Sequence, residues 1–121
     1  MIVEDDLSLQ RLYEMMLKAF GFEVVSIASN GKEAIEIYES LPNKPDVILM
    51  DHRMPVKNGI DATLEILKIQ SNSKVIFTSA DNSIKKKALE IGATSFIAKP
   101  FNVQQLHDEI MRATSMEKAS L

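Results

Sequence analysis

Short apolar runs along the chain alternate with longer stretches in which apolar residues recur every three or four positions. Ile2-Val3 stops at Glu4-Asp5-Asp6 and reads as the end of a buried strand whose beginning is short or cut off. Leu9, Leu12, Met16, Leu17 and Phe20 follow at helical spacing, with Gln10, Arg11, Glu14 and Lys18 between them and Gly21 as a stop. Phe22 to Ile27 predicts a strand. Asn30-Gly31-Lys32-Glu33 resembles a capping box, and Ala34, Ile37, Tyr38 and Leu41 continue that helix to Pro42 and Pro45. Val47 to Met50 is a continuous apolar run, as expected of a strand covered on both faces, and it ends at Asp51.

The pattern then repeats. A loop from His52 to Asn58 closes at Gly59, and Ile60, Leu64, Ile66 and Leu67 mark a helix. Val75-Ile76-Phe77 is a strand ending at Thr78-Ser79-Ala80, and Ile84, Ala88, Leu89 and Ile91 mark a helix stopping at Gly92. Phe96-Ile97-Ala98 is a short strand ending at Lys99-Pro100, and Val103, Leu106, Ile110 and Met111 belong to a last helix. Strand–helix units of roughly 20–25 residues predict a parallel sheet with helices on both faces. No internal repeat or linker interrupts them. A single domain is expected over residues 1–115, with residues 116–121 a frayed tail or the start of a linker.

Composition adds mainly exclusions. The chain has 121 residues, 45% hydrophobic, with a formal net charge of −3, which argues against a basic nucleic-acid-binding face. With no cysteine, disulfides and thiolate zinc sites are impossible. No apolar run approaches the ~18 residues of a membrane span, and acidic residues follow the N-terminus at once, so a cytoplasmic protein without signal peptide or membrane partner is the expectation. His52 and His107 have no second ligand at metal spacing and read as surface residues; the seven methionines read mostly as core.

In open α/β sheets, ligands bind beyond the carboxyl ends of the strands. Those ends carry Glu4-Asp5-Asp6, Ala28-Ser29, Asp51, Ser79-Ala80 and Lys99-Pro100. Singly, each has an ordinary reading: the acids as a solvated turn or helix cap, Ser79 as a cap, Lys99 as a surface lysine, Pro100 as a loop marker. Together they suit phosphoryl chemistry. Clustered carboxylates need a cation, and Mg²⁺ takes oxygen ligands. A carboxylate is a competent nucleophile, giving an aspartyl phosphate. A hydroxyl and an ammonium would neutralise the phosphoryl oxygens.

These residues resemble the receiver domain of two-component response regulators over essentially the whole chain. The motifs fall in order: Ile2-Val3-Glu4-Asp5-Asp6, Ile48-Leu49-Met50-Asp51-His52-Arg53-Met54-Pro55 with Gly59 following, Ser79-Ala80, and Gly92-Ala93 ahead of Phe96-Ile97-Ala98-Lys99-Pro100-Phe101. The resemblance implies a flavodoxin-like (βα)5 doubly wound α/β fold, its five-stranded parallel sheet ordered 2-1-3-4-5. It implies Asp51 as phosphoacceptor, and Glu4, Asp5, Asp51 and the Arg53 backbone carbonyl as Mg²⁺ ligands. Ser79, followed by Ala80, matches the hydroxyl that moves toward the phosphoryl group, with Thr78 the alternative. Lys99 matches the phosphate-binding lysine, Pro100 its cis-proline neighbour, and Phe96 the aromatic switch position. Arg53 places a long cation where it could alter access of the hydrolytic water.

The implied partners are a sensor histidine kinase or phosphotransfer protein, and an unidentified output partner on the face of the fourth helix, fifth strand and fifth helix. A phosphorylation-linked second copy is also allowed. The only catalysis implied is the domain's own phosphorylation and dephosphorylation. Two alternatives stay open: a haloacid-dehalogenase-type phosphatase, in which a second Asp would stand where Arg53 is, and a binding module that keeps the fold without being phosphorylated.

Overall fold

The computed structural model describes the backbone of residues 1–118 and the side chains of residues 1–114. In chain order the elements are β1 (Ile2–Val3), α1 (Leu7–Ala19), β2 (Ile27–Ala28), α2 (Gly31–Ser40), β3 (Ile48–Met50), α3 (Gly59–Ile69), β4 (Val75–Ser79), a 3-10 turn (Asn82–Ile84), α4 (Lys85–Glu90), β5 (Ser95–Ala98) and α5 (Val103–Lys118). Helix α5 thus runs across residue 115, and residues 119–121, the end of the expected tail, lie outside the described residues.

The strands form one parallel sheet in the order β2-β1-β3-β4-β5, as the flavodoxin-like reading requires. Parallel neighbours cannot be joined by tight turns, so each connection is a helical crossover that covers a face. Side-chain alternation then divides the core in two. Val3, Met50 and Phe77 point to the side covered by α2, α3 and α4, where Tyr38, Ile66 and Ala88 meet them. Ile2, Leu49 and Ile76 point to the side of α1 and α5, against Tyr13, Leu17, Leu106 and Ile110. Burial on both faces explains why β3 and β4 carry no alternation in their sequence.

Helix starts follow the capping chemistry. The Asp6 side chain accepts from the Ser8 and Leu9 amides, Asn30 from Glu33, and Asn58 from Asp61. The third acid of the opening cluster is therefore a helix cap. The capping box at Asn30 is half-formed: Glu33 accepts from the Ser29 amide rather than the Asn30 amide.

Three expectations are corrected. The strand predicted over Phe22–Ile27 is reduced to Ile27–Ala28, because β1 offers only Ile2 and Val3 as partners. On α1, Leu12 is exposed while Gln10 and Tyr13 are buried. Gln10 is taken inside because its amide donates to the Glu4 carbonyl at 2.5 Å and to Ser29 Oγ at 3.1 Å. The methionines are mostly core, as expected: Met1 and Met50 are buried and Met16 and Met54 pack against the two halves of the core, while Met15 and Met111 are exposed. His107, expected at the surface, is half-buried with its ring 4.5 Å from that of Phe20.

Gly59 fixes the loop after Asp51. Its amide donates to the His52 carbonyl at 3.0 Å, and an added Cβ would collide with the Asp51 carbonyl oxygen and lie 3.0 Å from its carbon. Backbone cannot yield as a side-chain tip can, so Gly59→Ala is expected to destabilise the domain by about 1–3 kcal/mol. Urea denaturation checks this. An unchanged midpoint would mean that the loop tolerates displacement.

Candidate functional site

The carboxyl ends of β1, β3, β4 and β5 bring Glu4, Asp5, Asp51, Ser79 and Lys99 to one edge of the sheet. Central position sets the first two levels. The Asp51 amide donates to the Val3 carbonyl at 2.9 Å and the Glu4 amide to the Ala28 carbonyl at 3.0 Å, so both acids leave the sheet from paired backbone. Glu4, Asp5 and Asp51 each offer a carboxylate oxygen within 4.8 Å of the others. Glu4 and Asp51 are buried, at 1% and 7% exposure, whereas Asp5 is open to solvent.

Lys99 reaches into this cluster from the end of β5. Its ammonium lies 2.7 Å from Glu4 Oε1 and 3.4 Å from Asp51 Oδ1. The unequal distances make Glu4 its principal partner in this state. Burial pushes the Glu4 carboxyl above its ordinary value, with Asp51 adding to the effect and Lys99 opposing it. Burial works against the Lys99 ammonium, but the hydrogen bond to Glu4 and the nearby Asp51 charge hold it above its ordinary value. The Tyr13 ring lies 6.0 Å below that ammonium, and burial raises its phenol.

Three carboxylates against one ammonium leave two uncompensated negative charges, which a divalent cation would cancel. The donors are all carboxylate oxygens, the ligand type that Mg²⁺ takes and that a softer metal would not select. Glu4, Asp5 and Asp51 therefore fit a Mg²⁺ ion.

Beside the acids is a cavity of about 430 Å³ lined by Asp51, Arg53, Ser79, Ala80, Asp81, Asn82 and Lys99. Ser79 lines it, with its Oγ accepting from the Asp81 amide at 3.0 Å; Thr78 does not line it. Arg53 lies at the rim, its guanidinium 2.9 Å from the Asp81 carboxylate. Pro100 follows a cis peptide bond and lines a separate groove with Phe101 and Val103. Phe96 is half-buried on β5 and packs against the α2–α4 side of the core. Register pairs Phe77 with Phe96 and Ser79 with Ala98, so Phe96 shares a face with Ser79.

Sequence reasoning missed Asp81, Asn82 and Gln10. Asp81 stands two residues after Ser79, so listing one more residue past each strand end would have found it. Gln10 gave no such signal, since a polar residue between apolar ones reads as solvent-facing.

The family described as "Response regulator receiver domain" matches residues 1–111. The chemotaxis protein CheY of Thermotoga maritima is 37% identical over 116 residues, covering 94% of this chain and 95% of that protein. A response regulator receiver domain protein from Clostridium thermocellum superposes with a TM-score of 0.90 at 28% identity, covering 97% of this chain and 94% of the other. The CheX–CheY–BeF3–Mg²⁺ complex from Borrelia burgdorferi contains a chain of TM-score 0.88 and 27% identity, covering 93% of this chain and 86% of that one.

Charge crowding yields a direct expectation. Asp51→Asn removes one of three clustered carboxylates and leaves the closer Lys99–Glu4 pair intact. With divalent cations chelated, the variant is expected to be more stable than the wild type by about 1 kcal/mol. Added Mg²⁺ is expected to raise the wild-type melting temperature by more than that of the variant. Equal stabilities in chelator, with equal responses to Mg²⁺, would contradict the electrostatic reading of the site.

Proposed function

The chain belongs to the response regulator receiver family, and we propose that it works as a phosphorylation switch with Asp51 as the acceptor. The observation that carries this reading is the joint placement of Glu4, Asp5 and Asp51 within one oxygen cluster, with Lys99 bridging Glu4 and Asp51. The donor is a phosphohistidine on a sensor histidine kinase or phosphotransfer protein, or a small acyl phosphate. An Asp51 carboxylate oxygen forms the new bond to phosphorus as the bond from phosphorus to the donor breaks. The bonding pair leaves with the donor, whose nitrogen or oxygen takes up any proton from solvent.

Glu4, Asp5, Asp51 and the Arg53 carbonyl would hold Mg²⁺, which when bound neutralises charge on the acids and on the incoming phosphoryl oxygens. Lys99 stands close enough to Asp51 to follow a phosphoryl group placed there, and Pro100 helps set its direction. Transfer raises the negative charge at Asp51 and so draws Lys99 from Glu4 toward the new oxygens.

The switch begins at Ser79. Its oxygen accepts from the Asp81 amide, and its O–H proton can be donated to a phosphoryl oxygen, which draws the end of β4 inward. Phe96, on the same face two register pairs back, fills the space vacated. The surface of α4, β5 and α5 then changes affinity for an output partner, including a second copy in a phosphorylation-linked dimer. Residues 1–115 form the switching unit, and the setting is cytoplasmic. Asp51 turns over no separate substrate in this scheme: the position two residues on, where a phosphatase would need an acid, is Arg53.

Incubation with acetyl phosphate and Mg²⁺ tests the acceptor. The wild type is expected to gain the mass of one phosphoryl group and Asp51→Asn none. Equal gains, or none in either protein, would remove the proposal. Ser79→Ala is expected to take up the phosphoryl group but lose the accompanying shift of the Phe96 ring resonances. A full shift without the hydroxyl would show that Ser79 is not the trigger.

A further inference from the structure

Two cations border the cavity beside Asp51, and they are differently committed. Lys99 is shared between Glu4 and Asp51. Arg53 touches neither. Its guanidinium donates through one nitrogen to Asp81, at 2.9 Å, and its side chain is 79% exposed. A guanidinium has five N–H donors in a planar fork, so most of its capacity is unspent. An exposed ion pair of this kind is weakly held.

Asp81 has several roles at once. Its carboxylate pairs with Arg53, and it caps the 3-10 turn that leads into α4, accepting from the Ser83 amide at 3.0 Å and from the Ser83 hydroxyl. Its amide donates to Ser79 Oγ. The Arg53–Asp81 pair therefore ties the loop after β3 to the turn after β4 across the rim of the cavity in which the phosphoryl group would sit.

We propose that the Arg53 side chain is a second cationic contact for the phosphoryl group on Asp51, held in reserve by Asp81 until that group arrives. The inference rests on the reading of Asp51 as acceptor. A phosphoryl group carries more charge than the Asp81 carboxylate and presents three acceptor oxygens, a better match to the guanidinium fork. Arg53 starts two residues from Asp51 and lines the same cavity. Exchange releases the Asp81 carboxylate from Arg53, so the tie between the loop after β3 and the cap of the turn before α4 is lost as the phosphoryl group arrives.

Beryllofluoride with Mg²⁺ serves as the phosphoryl probe, with affinity read by calorimetry on the full chain. Arg53→Ala is expected to weaken binding on the order of tenfold, the loss of one charge-assisted contact. Asp81→Asn, which keeps a capping oxygen but removes the competing charge, is expected to tighten binding several-fold. That gain is expected to shrink or vanish when both substitutions are combined. Melting curves without ligand establish that each variant is folded. Unchanged affinity in Arg53→Ala would overturn the proposal. So would an equal gain from Asp81→Asn with and without Arg53, since Asp81 would then act through its own charge alone. A wild type that binds no beryllofluoride would instead overturn the reading of Asp51 itself, and this inference with it.

Discussion

Mutual repulsion among carboxylates at the end of a buried sheet is the constraint on which the site depends. Glu4, Asp5 and Asp51 would not be held together by their own chemistry; the fold forces them into one cluster. β1 and β3 are adjacent, and their backbone pairing fixes where Glu4 and Asp51 emerge. The cost is tolerable because the strands behind them are nearly dry on both faces. Ile2, Val3, Met50, Ile76 and Phe77 are each fully buried or within 1% of it. Hydrophobic burial stabilises a geometry that electrostatics alone would disperse.

Lys99 makes the arrangement responsive as well as strained. It compensates one charge of three and lies closer to Glu4 than to Asp51. The remaining deficit is what a divalent cation and then a phosphoryl group would alter. Around that centre, the polar contacts are single and exchangeable: Ser79 Oγ to one amide, Arg53 to one carboxylate. Contacts of this kind carry little stability each, so a change of charge at Asp51 is enough to redistribute them.

Much of this was legible in the sequence because the fold repeats one physical theme. Continuous apolar runs mark strands buried on both sides, and the residue after each run must lie at the ligand-binding edge. That logic located Asp51 and Lys99 without coordinates and reached Thr78-Ser79 at the end of β4, where the Ala80 that follows singled out Ser79 through the family resemblance. It failed where a third dimension decided the outcome. Gln10 looked solvent-facing because helical spacing reports polarity, not whether a carbonyl such as that of Glu4 waits inside to accept its amide. Leu12 looked buried for the same reason. Phe22 to Val25 has strand-forming residues, but a strand also needs a partner, and β1 is too short to supply one. Asp81 was passed over because it is a loop residue whose meaning lies in being opposite Arg53, a relation between two loops separated by 28 residues.

What Asp51 does is most directly settled by locating the phosphoryl group chemically. The protein would be treated with acetyl phosphate and Mg²⁺, reduced with borohydride to convert an acyl phosphate to the alcohol (homoserine from Asp, the 5-hydroxy residue from Glu), and mapped by peptide mass spectrometry. Conversion at position 51 alone is the predicted result. Conversion at Glu4, Asp5 or another carboxylate, or at none, would contradict the assignment of Asp51 as the acceptor.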